Sequence, residues 1–440
     1  MKIAIVGTGI AGMTAAWHLH RNHDITVFEA ADYIGGHTNT IDVVHDGVEY
    51  AIDTGFIVFN NKTYPEFVRL MNLLYVPSQP TEMSFSVRCE ATGLEYNGAS
   101  LNKLFAQRRN LLRPSFHRML LDILRFYREA PRLLADETSP GPSLGEYLET
   151  NRYSAAFINL HIMPLGAAVW STDPRALFDF PAALFLRFFH NHGLLQMRNR
   201  PQWRVISGGS ARYVEKLTAP FRDRIRLNLP VESIRRTARH VDVRARGTWE
   251  RFDTIVIASH GDQALRMLSD PTAREREIVG SFRTQRNVAV LHTDDSILPR
   301  CRRAWAAWNY HLLSVDEQRV ALTYNMNTLE GIDAPVQFCV TLNHSDSIDA
   351  SKILRRITYE HPIYTAQTVA AQKRHAEVNG VNRTYFCGAY WGYGFHEDGV
   401  TSALRICEMI DDATAARNSS ISRPASPMRH PAPHAMEIAG

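Results

Sequence analysis

Lysine is almost absent from this sequence. Only Lys2, Lys62, Lys103, Lys216, Lys352 and Lys373 occur, so nearly all of the 49 basic residues are arginine. Against 45 acidic residues the net charge is only +4. An arginine bias without a large excess of charge is no electrostatic footprint for nucleic acid. Cysteine is scarce as well. Cys89, Cys301, Cys339, Cys387 and Cys407 are far apart, odd in number and form no C-x-x-C pair. That argues against a disulfide framework and a cysteine zinc site, and fits a reducing compartment. No apolar run reaches the ~20 residues of a membrane-spanning helix. The longest, FINLHIMPLGAAVW, is broken by Asn159, His161 and Pro164. No secretory pattern is visible, because the first apolar run is a short strand ending in glycines; the expected location is the cytoplasm. No short-period repeat is present. What remains is an ordinary globular composition, 45% hydrophobic and 21% charged over 440 residues, enough for about two or three domains.

What is present starts at residue 2. KIAIV reads as a buried parallel strand, and GTGIAG follows it directly, placing Gly7, Gly9 and Gly12 in G-x-G-x-x-G spacing. MTAAWHLHRN continues as a helix, and DITVFE supplies a second strand ending in Glu29. The order strand, glycine turn, helix, strand, acid is the dinucleotide-binding fingerprint. Gly7 permits the tight turn, Gly9 lets the backbone approach a pyrophosphate at the helix N-terminus, and Gly12 lets the helix press on the strand. Glu29 is placed to accept both ribose hydroxyls of an adenosine. Farther on, IDVVHDGVEYAIDTGFIVF reads as a hairpin turning at Asp46-Gly47.

Gly35 and Gly36, six and seven residues past Glu29, are superfluous to a simple nicotinamide domain. With the first motif they resemble the FAD fold of the glutathione reductase type, and within it the flavin amine oxidase and phytoene desaturase superfamily. The resemblance implies an α/β, two-domain chain: a discontinuous Rossmann-type FAD domain at 1–60, 205–282 and 375–416, and a sheet-plus-helices substrate domain at 61–204 and 283–374. The tail 417–440, rich in Ser, Pro and Ala, is expected to be disordered. The resemblance also implies noncovalent FAD, held by Gly7, Gly9, Ile10, Ala11, Gly12, Glu29, Ala30, Gly35, Gly36, His37, Thr38, Thr54, Gly55 and Phe56. His37 stands where those enzymes often carry arginine, and Asp53-Thr54-Gly55 matches their D-x-G beside the flavin. Val231 would lend its backbone to the adenine and Ala258 would close the nucleotide site. WRVISGGSARYVEKL reads as a glycine pair before an amphipathic helix, IRLNLPVESIRR as a strand pair around Pro230, and 283–345 as strand-rich. Residues 61–204 read as mostly helical.

Near the other end, RTYFCGAYWGYGFHEDGVTSALRICEMI reads as a strand over Thr384–Cys387, a loop, and a helix starting near Gly399. A helix N-terminus there would favour negative charge on a reduced flavin ring. The resemblance gives Gly388, Glu397, Asp398, Gly399 and Val400 to the cofactor, with one carboxylate capping the helix, and Tyr390, Trp391, Tyr393 and Phe395 as candidate pocket walls. His396 stands three residues before the glycine that matches those enzymes, where they carry a substrate-cage aromatic. It is the candidate catalytic base, with a hydrogen-bonded role in the loop as the alternative.

The chain departs from the better-known enzymes in having no lysine between Lys216 and Lys352, where many hold a water beside the flavin. Arg283 or Arg286 would have to stand in, and neither gives up a proton. Cys387 reads as core, not as a flavin tether. Between Lys103 and Arg132 eight cations and two acids interleave with leucines and phenylalanines. Such a segment either lies on an anionic membrane at the inner face or is an ordinary core helix with a basic outer side. The whole C-terminal run resembles a little-characterised bacterial branch of NAD/FAD-binding proteins often encoded beside cyclopropane-fatty-acid synthase-like methyltransferases. The leading expectation is an FAD-dependent oxidoreductase taking hydride from an apolar, lipid-like or fatty-acyl substrate. The alternatives are a flavin-dependent amine oxidase and a non-catalytic lipid-binding protein, the last suggested by Rab GDP-dissociation inhibitors of the same architecture. The intact glycines and Glu29 count against that last reading.

Overall fold

The computed structural model describes residues 1–135, 141–196, 199–313 and 321–421. Its first sheet has five parallel strands in the order Ile225–Arg226, Asp24–Phe28, Lys2–Val6, Thr254–Ile257, Thr384–Phe386. Side chains of the central strand alternate between two cores, as the period of a strand requires. Ile3 and Ile5 pack with helix Ile10–Leu19 and the last helix, His396–Ile421. Ala4 and Val6 pack under an antiparallel meander of Val231–Arg236, Val241–Ala245 and Thr248–Phe252. Both faces are therefore covered, which is why KIAIV is apolar throughout.

A second, seven-stranded sheet runs Ile353–Pro362, Thr284–His292, Cys339–Leu342, Ala321–Asn325, Trp308–Leu312, Phe85–Cys89, Leu94–Asn97. Only Phe85–Cys89 and Trp308–Leu312 pair in parallel. Helices between Leu101 and Asn191 pack beside this sheet in one aromatic-rich core. The α/β architecture expected from the sequence is the one observed, with three smaller sheets beside these two.

The hairpin Thr40–His45/Val48–Asp53 turns at Asp46-Gly47, both with positive φ, as a type I′ turn requires. Other expectations differ from the structure. Ile225–Arg226 and Val231–Arg236 do not pair around Pro230: the first joins the parallel sheet and the second the meander. The stretch 61–204 is not only helical, because Phe85–Cys89 and Leu94–Asn97 form the edge of the large sheet. These strands are too short for periodicity to separate them from helix. The last helix begins at His396, three residues before Gly399, and continues to Ile421. The expected disordered tail from 417 thus starts inside a helix, and 422–440 lie outside the described residues. No helix among the described residues is long and apolar enough to cross a membrane.

Candidate active site

One cavity of about 1170 Å³ runs from the first glycine motif to the helices beside the large sheet. Ligand pockets usually hold about 300–1,000 Å³, so this one has room for a dinucleotide and a substrate together. Gly7, Gly9, Ile10, Ala11, Glu29, Ala30, Gly36, His37, Thr54, Gly55, Phe56, Val231, Ala258, Gly388 and His396 line it. Gly12, Gly35, Thr38, Glu397, Asp398, Gly399 and Val400 do not.

Three glycines of the two motifs serve different ends. A Cβ on Gly12 would lie 2.0 Å from the carbonyl oxygen of Gly7, so Gly12 lets the helix meet the strand. A Cβ on Gly36, at φ +61°, would lie 3.0 Å from Gly9 Cα, so the second glycine pair stacks on the first loop. A Cβ on Gly9 would meet no protein atom within 4 Å. Nothing in the protein needs a glycine there; the open space faces the cavity. Gly9 begins helix Ile10–Leu19, which has no side-chain cap and no acid in its first turn. Its first N–H groups are oriented for a phosphate.

Glu29 is more occupied than a free ribose acceptor. Thr8 donates to Oε2 through its N–H (2.8 Å) and its hydroxyl (2.5 Å), and Ala31 N–H donates to Oε1 at 2.9 Å. A carboxylate has about four acceptor sites, so the protein leaves room for roughly one ribose hydroxyl, not two. Glu29 also ties the glycine loop to the second strand.

His37 stacks on Tyr359 (ring centroids 5.0 Å) and lies beside His361 (5.3 Å) and His260 (5.9 Å). Burial, and then the neighbouring His361 and His260, hold its pKa well below the usual histidine range, so the ring is neutral. Its Nε2 is buried without a protein partner. The open Gly9 face, the uncapped helix start and this orphaned nitrogen are what a phosphate-bearing dinucleotide would satisfy. No sequence signal tied His260, His361 and Tyr359 to His37, since they come from distant strands and loops. None of the five cysteines lines the cavity, which is why attachment is read as noncovalent.

GFHEDG is the start of the last helix. Glu397 does not line the cavity, and its carboxylate is spent on another helix. It accepts from Glu66 N–H (3.1 Å) and Phe67 N–H (2.9 Å), capping the separate helix Pro65–Leu73. Asp398 accepts from Phe395 N–H at 2.9 Å. Its Oδ1 lies where a Cβ on Gly392 would fall, at 2.1 Å. Burial pushes Asp398 up to about 7. Gly399 meets Ile10, whose Cγ2 would be 2.7 Å from a Cβ there, and Val400 is buried in the same core. Glu397, Gly399 and Val400 thus pack the last helix on helices Pro65–Leu73 and Ile10–Leu19. Of the candidate walls, Tyr390, Tyr393 and Phe395 line the cavity; Trp391 packs on Phe282 and His375 instead.

His396 faces the cavity but is held on every side. Its ring stacks on Phe56 with centroids 3.5 Å apart. Its Nε2 lies 3.0 Å from both the Thr38 and Tyr213 hydroxyls, which also bond each other. Burial pushes its pKa down to about 3. A base working near neutral pH needs a pKa near that pH, so the geometry favours the alternative, a buried neutral imidazole that positions Phe56. Neither Arg283 nor Arg286 lines the cavity, and no lysine does.

Beyond Phe56 the walls are aromatic and aliphatic, among them Phe85, Trp170, Phe188, Trp308 and Tyr324. At helices Leu101–Leu104 and Pro114–Glu129 the cavity reaches the surface, where Leu101 (76% exposed) and Leu124 (49% exposed) both line it and face outward. They form its rim.

The family model for flavin containing amine oxidoreductases matches residues 10–295. No curated protein matches the sequence. Among solved structures the chain is similar to a putative protoporphyrinogen oxidase from Exiguobacterium sp. 255-15, at 17% identity and TM-score 0.68 over 94% of this chain and 99% of that one. It is similar to the cyclohexylamine oxidase from Brevibacterium oxydans IH-35A, at 16% identity and TM-score 0.67 over 93% and 99%. It is also similar to a CLA-producing fatty acid isomerase from P. acnes, at 16% identity and TM-score 0.65 over 93% and 98%. At these identities the likeness establishes the fold.

Proposed function

Because this chain belongs to the family of flavin containing amine oxidoreductases, we propose that it abstracts hydride from an apolar, lipid-like or fatty-acyl substrate. That it is an FAD-dependent oxidoreductase follows from the family. The bound flavin supplies the two-electron acceptor. The residues of this chain do the rest. Gly9 and the start of helix Ile10–Leu19 would bind the pyrophosphate, Glu29 a ribose hydroxyl, and His37 a polar oxygen. Phe56, backed by His396, would fix the wall between the dinucleotide and the substrate. The aromatic walls would exclude water and hold an apolar chain in place.

The observation that carries this reading is the continuity of the cavity with a leucine rim on an arginine-rich segment. Arg108, Arg109 and Arg113 donate only to carbonyl or amide oxygens of Asn102, Phe105, Gly93 and Thr92. Among the described residues their charge is not spent on carboxylates, whereas Arg118, Arg125 and Arg128 are paired with Asp122 or Glu129. Exposed Leu111 and Leu112 stand among the free arginines. This combination supports peripheral contact with an anionic membrane, from which a lipid would enter. Amine oxidation is the competing reading. The test is anaerobic bleaching of the purified yellow protein with acyl lipids, fatty acids and alkylamines. Bleaching by an acyl compound supports the proposal; bleaching by amines alone overturns it.

A further inference from the structure

The substrate half of the cavity holds a polar cluster that hydride abstraction does not use. Helix Pro114–Glu129 turns Leu120, Ile123, Leu124 and Tyr127 into the cavity, a stripe at helical spacing. The Tyr127 hydroxyl makes no hydrogen bond among the described residues. His161 enters from the neighbouring turn Ile158–Ile162. Its Nδ1 lies 3.1 Å from the Tyr96 hydroxyl, which donates to the Leu160 carbonyl at 2.8 Å. Its Nε2 is buried, has no partner, and belongs to a ring only 9% exposed. A buried polar atom left this way lacks a polar group that the cavity must supply.

Arg200 completes the cluster. Among the described residues two arginines line the cavity. Arg266 is held by Asp262 at 2.8 Å. Arg200 spends only its Nε, on the carbonyl of Gln196 at 2.6 Å, and its terminal nitrogens meet no carboxylate among the described residues. Arg200 lines the same cavity as Tyr127 and His161, and its charge lowers the proton affinity of both, against burial in the first case and with it in the second. Glu82 also lines the cavity, and Lys103 neutralises it at 3.1 Å. Arg200, with no carboxylate partner among the described residues, thus shares one cavity with the Tyr127 phenol and the orphaned His161 nitrogen, whose surroundings are mostly aromatic and aliphatic.

We propose that this cluster is the head-group site for an acyl carboxylate, with Arg200 and Tyr127 holding its two oxygens near the rim and its chain running inward along the apolar walls. A guanidinium takes a carboxylate through two parallel N–H donors, and a phenol adds a third. Alkyl chains with a neutral head would keep the apolar contacts and lose these bonds. Alkylammonium ions would meet repulsion from Arg200. The inference rests on the lipid-like reading above and names the substrate's polar end.

The test is binding to the FAD-loaded protein, followed by calorimetry below micellar concentrations. The probes are dodecanoate, 1-dodecanol and dodecylammonium. Dodecanoate is expected to bind most tightly. Arg200→Gln should weaken it about 10- to 100-fold, the range for a charge-assisted bond, and leave dodecanol within twofold. Arg200→Lys should recover part of the loss, and Tyr127→Phe should cost less than Arg200→Gln. Equal binding of dodecanoate and dodecanol, or no effect of Arg200→Gln, overturns the head-group site while the lipid-like reading stands. Binding of none of the three overturns the lipid-like reading itself. Tightest binding of dodecylammonium overturns both in favour of an amine.

Discussion

The two ends of the cavity are made in different ways. The dinucleotide end is built around backbone: two glycine turns and a helix start within residues 7–37, with Glu29 beside them and His260, Tyr359 and His361 added from elsewhere in the chain. The substrate end is all side chain, drawn from segments as far apart as Phe85, Tyr127, His161, Arg200, Trp308 and Tyr393. A backbone site is bound to a fixed spacing of residues that permit close approach, because the chain path itself is the ligand surface. A side-chain site needs only that distant elements converge, so it tolerates any order along the chain. The first kind announces itself in sequence and the second does not.

The sharpest way to break this contrast is inside the glycine motif. Gly12→Ala puts a methyl 2.0 Å from a backbone oxygen. It should destabilise the protein by about 3 kcal/mol or more, in the manner of an overpacked core, and release FAD with the fold. Gly9→Ala meets no protein atom. Its apoprotein should melt within about 1 kcal/mol of wild type, since alanine at a helix N-cap costs little more, yet it should retain far less FAD. Denaturant melts of the apoproteins and the flavin-to-protein absorbance ratio check both. A Gly9→Ala protein that keeps its full complement of flavin would show that the open face at Gly9 is not part of the cofactor site.

Legibility follows the same line. Gly7, Gly9, Gly12, Glu29, Gly35 and Gly36 were readable because each is fixed by local chain geometry. The Asp46-Gly47 hairpin was readable for the same reason. Glu397 was misread because its real partner, the start of helix Pro65–Leu73, is more than 300 residues away. Proximity to its own helix could not reveal that. The His37–His260–His361 group and Arg200 had no local signal either; only convergence in space gives them meaning. The strands at 85–97 hid for a third reason, since short apolar runs carry no decisive period.

A second prediction concerns Asp398, at the start of the last helix beside Gly392. Its pKa is raised from an ordinary 3.8 to about 7 by burial. A raised pKa means the folded state holds the proton more tightly than the unfolded chain. The associated stability is full below about pH 4 and is lost as pH rises through 7. Linkage over that span amounts to up to about 4 kcal/mol. Asp398→Asn should be flatter: wild-type stability minus that of the variant should fall steadily between pH 4 and 7. Parallel pH profiles for the two proteins would mean that Asp398 ionises normally.

The rim offers a smaller effect. If Leu111 and Leu112 enter a lipid surface beside unpaired arginines, Leu112→Glu should lower partitioning onto phosphatidylserine-containing vesicles about tenfold, as for one buried leucine at roughly 1.5–3 kcal/mol. Raised salt should release the wild type. Equal sedimentation with neutral and anionic vesicles, or with neither, would return this segment to the plain-core reading.

The smallest expected effect belongs to His396, and it decides how the two ends communicate. The residue lies between them, its ring flat on Phe56 and its Nε2 shared by Thr38 and Tyr213. With a pKa near 3, it is neutral throughout the physiological range and too weak a base to collect a substrate proton. On the proposed reading its part is steric: it would keep Phe56 between the dinucleotide end and the substrate end. His396→Gln retains a polar group of similar reach, so FAD content should stay at the wild-type level and the rate of flavin reduction should fall less than about tenfold, below the usual range for loss of a general base. His396→Ala removes the stacking partner and should raise KM more than it lowers kcat, because the wall loosens while the chemistry keeps its groups. The pH profile of flavin reduction should show no step that disappears in either variant. A loss of 10²-fold or more in His396→Gln, together with the disappearance of a titration near neutral pH, would make His396 a base after all, and the boundary between the two ends would then itself be catalytic.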